Sequence, residues 1–353
     1  MQKRAIVAVM LSLLMIFAAA CGSSGEKAGS SSGTGGSTSP AGGGGSGKPV
    51  KVRIAHVSSE TTSIHQAMLR FKEIAEEKSG GRIEVEVHPN ATLGTSREQV
   101  EQVQAGLIEM VNADMDTLSS FVDSVAVLSF PFLLPTTSGE LFDLLDNKLF
   151  NTVSKHFEEK GFKFFGFESL GYKVITNNDR PIQSPDDLKG MKLRVLPSEV
   201  LTIQYEGWGA QPVPIDYTEV YTALQTGVVS GQENPLEAIY TMKFHEVQKY
   251  MSMTNHANRI LTLLANLDWF NGLDPELREI VNEAGLAATR YQRELAAKEW
   301  NDYFEKLSAA LEVNELTEEG LRQFKTASEP LYEKMLKTDK QRQLFDEIRS
   351  LYR

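Results

Sequence analysis

The chain has 353 residues, 41% hydrophobic and 24% charged, an ordinary soluble composition with enough apolar material for two domains. Its formal net charge of -11 argues against nucleic acid as a partner. A single cysteine rules out any disulfide framework.

Gln2-Lys3-Arg4 is followed by an apolar run over 5–17, too short to span a membrane, and then by Ala18-Ala19-Ala20-Cys21. Small residues ending in cysteine resemble a bacterial lipoprotein signal, so residues 1–20 read as a leader and Cys21 as the lipidated residue. Ala18 departs from that pattern, where leucine is commoner, and an ordinary secretory leader with a chance cysteine is the alternative. Residues 21–48 are mostly Gly, Ser and Thr. They cannot bury apolar surface, and a flexible tether of about 26 residues reaches roughly 25–30 Å. It would hold a globular body at the outer face of the cell membrane or in the periplasm. Residues 42–48 imitate a phosphate-binding loop, but Pro49 stands where a hydroxyl is required and no strand precedes it.

Residues 50–57 (VKVRIAHV) alternate as a first strand. Ile64, Ala67, Met68, Phe71, Ile74 and Ala75 then recur at helical spacing behind a hydroxyl-rich cap, and Gly80-Gly81 ends that helix. Residues 82–88 (RIEVEVH) alternate again until Pro89, which completes an opening β-α-β unit. A helix over 96–105, a strand over 107–113 ending at Asp114, a buried apolar run over 125–134, a helix over 140–159 and a strand over 162–167 follow. Residues 171–176 (GYKVIT) stay extended, carry Lys173, and lead into a second lobe. There the spacing predicts a short helix after Pro185, a strand over 192–195, helices from Ser198 and Tyr217, and a strand running into a turn over 228–235. Strands over 250–254 and 260–267 flank a second crossing at 255–258. Residues 275–311 form the longest helical pattern, with Ile280, Ala284, Ala287, Tyr291 and Leu295 as its stripe. About 35 helical residues reach roughly 50 Å, enough to brace both lobes. Three amphipathic segments, 318–326, 329–336 and 340–352, finish the chain.

No nucleophile elbow, H-E-x-x-H pair or dinucleotide fingerprint appears in this order of elements. A hydrolase would need a nucleophile beside a base, and none is evident. His56 and His256 are the two histidines near strand ends, each readable as a core residue or as part of a cleft. Arg194, on the apolar run Lys192-Leu193-Arg194-Val195, reads either as a buried ion pair with Asp216 or Glu233 or as an anion clamp. Lys173 reads as a snorkelling surface lysine or a second cleft cation, Asn234 as a cap on the helix after Pro235 or a ligand contact, and Tyr217 and Tyr221 as core or as pocket wall.

The segments "PNATLG", "VQAGLIEM", "FPFLL", "DLKGMKLRV", "EVYTALQTGVVSGQENP", "HEVQKY" and "TNH" together resemble the solute-binding proteins of tripartite ATP-independent (TRAP) transporters, the DctP family. The resemblance covers almost the whole chain after the tether. It implies a two-lobed α/β fold like the class II periplasmic binding proteins, with lobes at 49–171 plus about 259–299 and 172–258 plus about 300–353. It implies no catalysis and no cofactor or metal. Its partners would be a small organic acid and the small and large TRAP membrane subunits, with the protein a monomer. Arg194 would clamp the carboxylate, Asn234 would contact it, and Tyr217 would wall the pocket, with Asp114 and His56 also at the cleft. Lys173 stands where sialic-acid-binding members carry arginine. "RVLPSEVLTIQY" is similar to C4-dicarboxylate binders and brings in Ser198 and Gln204, favouring malate, succinate or fumarate. Sugar acids and 2-oxo acids remain alternatives within the same system, and a subunit that senses its ligand for a membrane receptor kinase is an alternative of another class.

Overall fold

The computed structural model describes residues 48–351. The leader expected over 1–20, the lipidated Cys21 and the tether up to residue 47 lie outside the described residues. The strands are β1 (Val50–Ala55), β2 (Ile83–His88), β3 (Met110–Asp114), β4 (Phe162–Tyr172), β5 (Val174–Asn177) and β6 (Lys192–Val195). They continue with β7 (Gln211–Pro214), β8 (Gly231–Asn234), β9 (Tyr250–Met253), β10 (Asn258–Asn266) and β11 (Glu312–Glu315). They form two mixed sheets, ordered β2-β1-β3-β10-β4 and β11-β9-β5-β8-β6-β7.

The opening unit follows its local chemistry. Thr62 caps the helix Ser63–Ser79 by accepting from His65 N, and Gly80 ends it in the left-handed conformation at φ 62°. Val52, Ile54, Ile83 and Val85 then share one core with Ala67, Met68 and Phe71 of that helix. The chain passes from the first sheet to the second at Lys173, between β4 and β5, and returns between β9 and β10.

Several elements differ from the expectation. The helix expected over 140–159 is interrupted by a wide turn over Asp143–Leu149. The segments expected at 318–326 and 329–336 are one helix, Glu318–Met335, which accommodates Pro330 internally. The segment 228–235, expected to run from a strand into a turn, forms its strand later, at Gly231–Asn234 (β8), which is buried throughout. Its glycine is required because a Cβ at Gly231 would lie 2.7 Å from Thr176 O on the neighbouring β5. The long helix runs Pro275–Ala310. Its first half packs through Leu277, Ile280, Val281, Ala284 and Ala288 on the first sheet's core, and Tyr303 and Leu307 join the core of the second. Tyr291, expected on its buried stripe, is exposed; Gln292 is buried instead. The amide explains the rotation, because Gln292 Oε1 accepts from Ser169 N at 2.9 Å while Nε2 donates to Ser63 Oγ at 2.9 Å and to Ser169 O at 3.1 Å.

Candidate functional site

A cavity of about 220 Å³ opens where the segments leaving β1 and β3 of the first sheet meet those leaving β6 and β7 of the second. Asp114, at the end of β3, and Thr117 supply one side of its wall, with Thr95 and Arg97; Asp216 and Tyr217 supply another. Three buried cations, none of them among the residues that line it, lie on neighbouring strands, and each is held differently.

Arg194 is fully buried on β6. Its Nε donates to Ile215 O at 2.8 Å, and one Nη has no hydrogen-bond partner in the protein. Burial lowers its pKa to about 10, partly offset by the Glu233 charge, so it stays cationic at neutral pH. Neither Asp216 nor Glu233 forms the ion pair that the sequence left open. The register pairs Arg194 with Gln232, so the guanidinium shares a face of the sheet with Gln232 and Asn234.

Lys173 belongs to the opposite face, with Glu233. It is no surface lysine: its Nζ lies 2.8 Å from Asp116 and 3.3 Å from Glu233. Burial opposes its charge, and the two carboxylates outweigh burial and raise its pKa above the ordinary value. Burial likewise opposes ionisation of Glu233, but Lys173 and His256 prevail and hold it at about 2. Glu233 Oε2 meets Lys173 and His256 Nε2, the latter at 3.6 Å, without a well-directed hydrogen bond from either.

The third cation, Arg259 at the start of β10, was not anticipated from the sequence. Its Nη1 donates to Asn234 Oδ1 at 2.8 Å, its Nη2 to Asp114 Oδ2 at 3.2 Å, and its guanidinium lies 5.2 Å from the centre of the Tyr217 ring. The signal was a lone cation at the edge of the apolar run Ile260–Leu267, the same signal that marked Arg194. Asn234 does not cap the following helix, which has no side-chain cap. Asp114 Oδ1 accepts from Thr117 N and starts the turn Met115–Leu118.

The remaining expected residues divide. Ser198 Oγ and both amide atoms of Gln204 are buried with no partner in the protein. His56 packs behind the wall, with Nε2 3.1 Å from His65 Nδ1; burial first and His65 second depress its pKa to about 3, so it is neutral. Tyr217 is both core and wall, whereas Tyr221 points to Glu246 at 3.3 Å, outside the cavity.

The model of bacterial extracellular solute-binding proteins, family 7 (DctP), matches residues 54–339. The chain belongs to that family. It is 31% identical over 248 residues to the 2,3-diketo-L-gulonate-binding periplasmic protein YiaO of Escherichia coli K12, covering 70% of this chain and 75% of that one. It is 30% identical over 298 residues to the C4-dicarboxylate-binding periplasmic protein DctP of Rhodobacter capsulatus, covering 82% and 87%. A TRAP periplasmic solute-binding protein from Sulfitobacter sp. NAS-14.1 with bound β-D-galacturonate superposes with a TM-score of 0.82 at 29% identity, over 85% of this chain and 100% of the other. One from Sulfurospirillum deleyianum with bound succinate gives 0.80 at 28%, over 85% and 98%. The two sheets are therefore the two lobes of a TRAP solute-binding fold, braced by Pro275–Ala310. Family 7 proteins bind small organic acids outside the cytoplasm and serve transport with membrane permease subunits, a role that is not catalytic.

Proposed function

We propose that this member captures a hydroxylated monocarboxylate of the sugar-acid class, a uronate or an aldonate, through one carboxylate held by Arg194 and Asn234. The supporting observation is the unequal commitment of the three buried cations. Lys173 faces Asp116 and Glu233, Arg259 faces Asp114, and Arg194 alone of the three keeps an unpartnered Nη. A guanidinium fork matches the two oxygens of a single carboxylate. Thr95, Ser96, Thr117, Ser120 and Thr218 give the cavity a hydroxyl-rich wall, and Asp114 and Asp216 there would accept from ligand hydroxyls and repel a second carboxylate. The galacturonate complex of the Sulfitobacter protein agrees with this class.

A C4-dicarboxylate such as malate, succinate or fumarate is the second reading. It is favoured by Arg97, which lines the same cavity and is half-exposed in its pair with Glu101 at 3.0 Å. The diacid would then use Arg97 rather than Lys173 for its second end. In either reading the protein is a monomer that turns nothing over and is lipid-anchored through Cys21. Its lobes divide at 49–171 with about 259–299 and 172–258 with about 300–353, and it delivers its ligand to the small and large membrane subunits. Thermal-shift titrations with galacturonate, glucuronate, galactonate, succinate, malate and fumarate separate the readings. Sugar acids should raise the melting temperature while diacids leave it unchanged; the reverse pattern would assign the site to C4-dicarboxylates.

A further inference from the structure

Asn234 is the second link in a buried chain of side chains, each of which donates to the next. Arg259 Nη1 donates to Asn234 Oδ1 at 2.8 Å, Asn234 Nδ2 to Gln232 Oε1 at 2.6 Å, and Gln232 Nε2 to Thr176 Oγ1 at 2.8 Å. Thr176 Oγ1 donates to Gln248 Oε1 at 2.9 Å, and Gln248 Nε2 ends on the carbonyls of Val247 at 3.0 Å and Ser230 at 3.3 Å. Every side chain in it is less than a tenth exposed. Both ends have only one possible polarity. A guanidinium can only donate and a backbone carbonyl can only accept, whereas Asn, Gln and Thr in between can do either. The chain therefore has one consistent direction, set from Arg259 at the first sheet and from β8, β9 and their loops at the second.

We infer that Arg259 is the positioning residue of the carboxylate site: by donating to Asn234 Oδ1 it turns Nδ2 away, leaving one N–H on Gln232 and the second for the ligand carboxylate beside Arg194. The inference rests on Asn234 contacting the ligand, and it adds a polarity requirement that a generic contact would not have. Without Arg259 only Gln232 Oε1 holds the carboxamide in this sense, and whenever it flips it presents its oxygen to the anion, which replaces a charge-assisted hydrogen bond with a repulsion. Arg259 is itself held from the other side by Asp114 Oδ2, so the orientation of a group on β8 is controlled from β3 and β10 of the opposite sheet.

Calorimetric titration of the full chain with galacturonate and with succinate, in wild type, Arg259→Gln, Asn234→Ala and the double variant, tests this. Arg259→Gln should weaken whichever acid binds by about tenfold or more, and the loss should vanish in the Asn234→Ala background, because one contact cannot be lost twice. An equal loss in both backgrounds would overturn the inference and mark Arg259 as acting through its charge or by direct contact. Arg259→Lys keeps a donor that cannot accept and should recover more affinity than glutamine. A ligand-free readout separates this from the choice of ligand. The side-chain carboxamide resonances of Asn234 should be single and sharp in wild type and broadened or doubled in Arg259→Gln. Unchanged resonances would overturn the inference whatever acid the protein binds.

Discussion

Lys173 and Arg194 are both buried cations flanking strand β8 of the second sheet, and they stand in opposite electrostatic positions. Lys173 was brought into the interior with its counter-ions, Asp116 and Glu233, and His256 completes the group. Arg194 was brought in with a single backbone carbonyl on Nε, and its nearest acids stay out of ion-pair reach. Leaving a charge uncompensated in a protein interior costs several kcal/mol, whereas a compensated cluster mainly defines geometry. The uncompensated cation is the one that the proposed function assigns to an outside anion. The compensated one ties β8 of the second sheet to the turn that follows β3 of the first.

The sharpest way to break this comparison is to remove Lys173. In Lys173→Met, Glu233 and Asp116 lose their shared cation while buried, and unfolding in urea should show a loss of roughly 3–5 kcal/mol. A loss under about 1 kcal/mol would mean that the cluster is not held by charge. Arg194→Lys is the converse. Lysine retains the charge without the planar fork, so ligand affinity should fall by roughly 2–3 kcal/mol, on the order of a hundredfold, with the melting temperature nearly unchanged. Near-normal affinity by calorimetry would mean that Arg194 is structural and that the comparison is read the wrong way round.

Much of the scaffold was legible because it is built from local rules. The opening unit shows in the alternation of Ile83, Val85 and Val87, in the Thr62 cap and in Gly80, all read within a few residues of one another. Arg194 was legible for a similar reason, as one cation inside an apolar run. Its exclusion from ion pairing was not, because the acids that might have met it are set by register between strands. Lys173 finds Asp116 across 57 residues of sequence, and no local pattern announces such a partner. The strand within 228–235 was expected to give way to a turn because Gln232, Glu233 and Asn234 are polar. Their polarity is met sideways, by Thr176, Lys173 and Arg259, and this allows three polar residues to be buried consecutively. Arg259 was passed over because the apolar run after it was counted from Ile260, one position too late.

A second buried acid sharpens the contrast by its pH response. Glu237, near the start of the helix Leu236–Thr241, accepts from Ser63 N at 2.8 Å and Ser63 Oγ at 2.7 Å, which joins that helix to Ser63–Ser79. Burial raises its pKa to about 7, with Ser63 opposing the rise and Glu299 adding to it. The folded state thus holds a proton that the unfolded state releases near pH 4.5, so this group's contribution to stability falls as pH rises from about 4.5 to about 7. Glu237→Gln abolishes the titration. Between pH 5 and pH 8 the wild type should lose about 2 kcal/mol relative to the variant, read as diverging urea midpoints. Effects of His56 and other groups common to both proteins cancel in that difference. Parallel curves would show that Glu237 is not titrating in this window.

Gln204 carries the comparison to neutral groups, with the smallest effect and the opposite sign. Its carboxamide is fully buried on the helix Glu199–Gly207, and neither its nitrogen nor its oxygen finds a partner in the protein. An amide kept in that condition costs stability, just as the uncompensated charge of Arg194 does, and under the proposed function both costs are met by the ligand. Gln204→Leu removes the polar atoms while nearly preserving volume. It should therefore raise unfolding stability by about 1 kcal/mol and weaken ligand binding at the same time. A variant that is both more stable and unimpaired in binding would place Gln204 outside the site. A variant that is less stable would show that its amide already serves the fold, and would leave Arg194 as the principal group in this lobe whose burial is justified by the ligand.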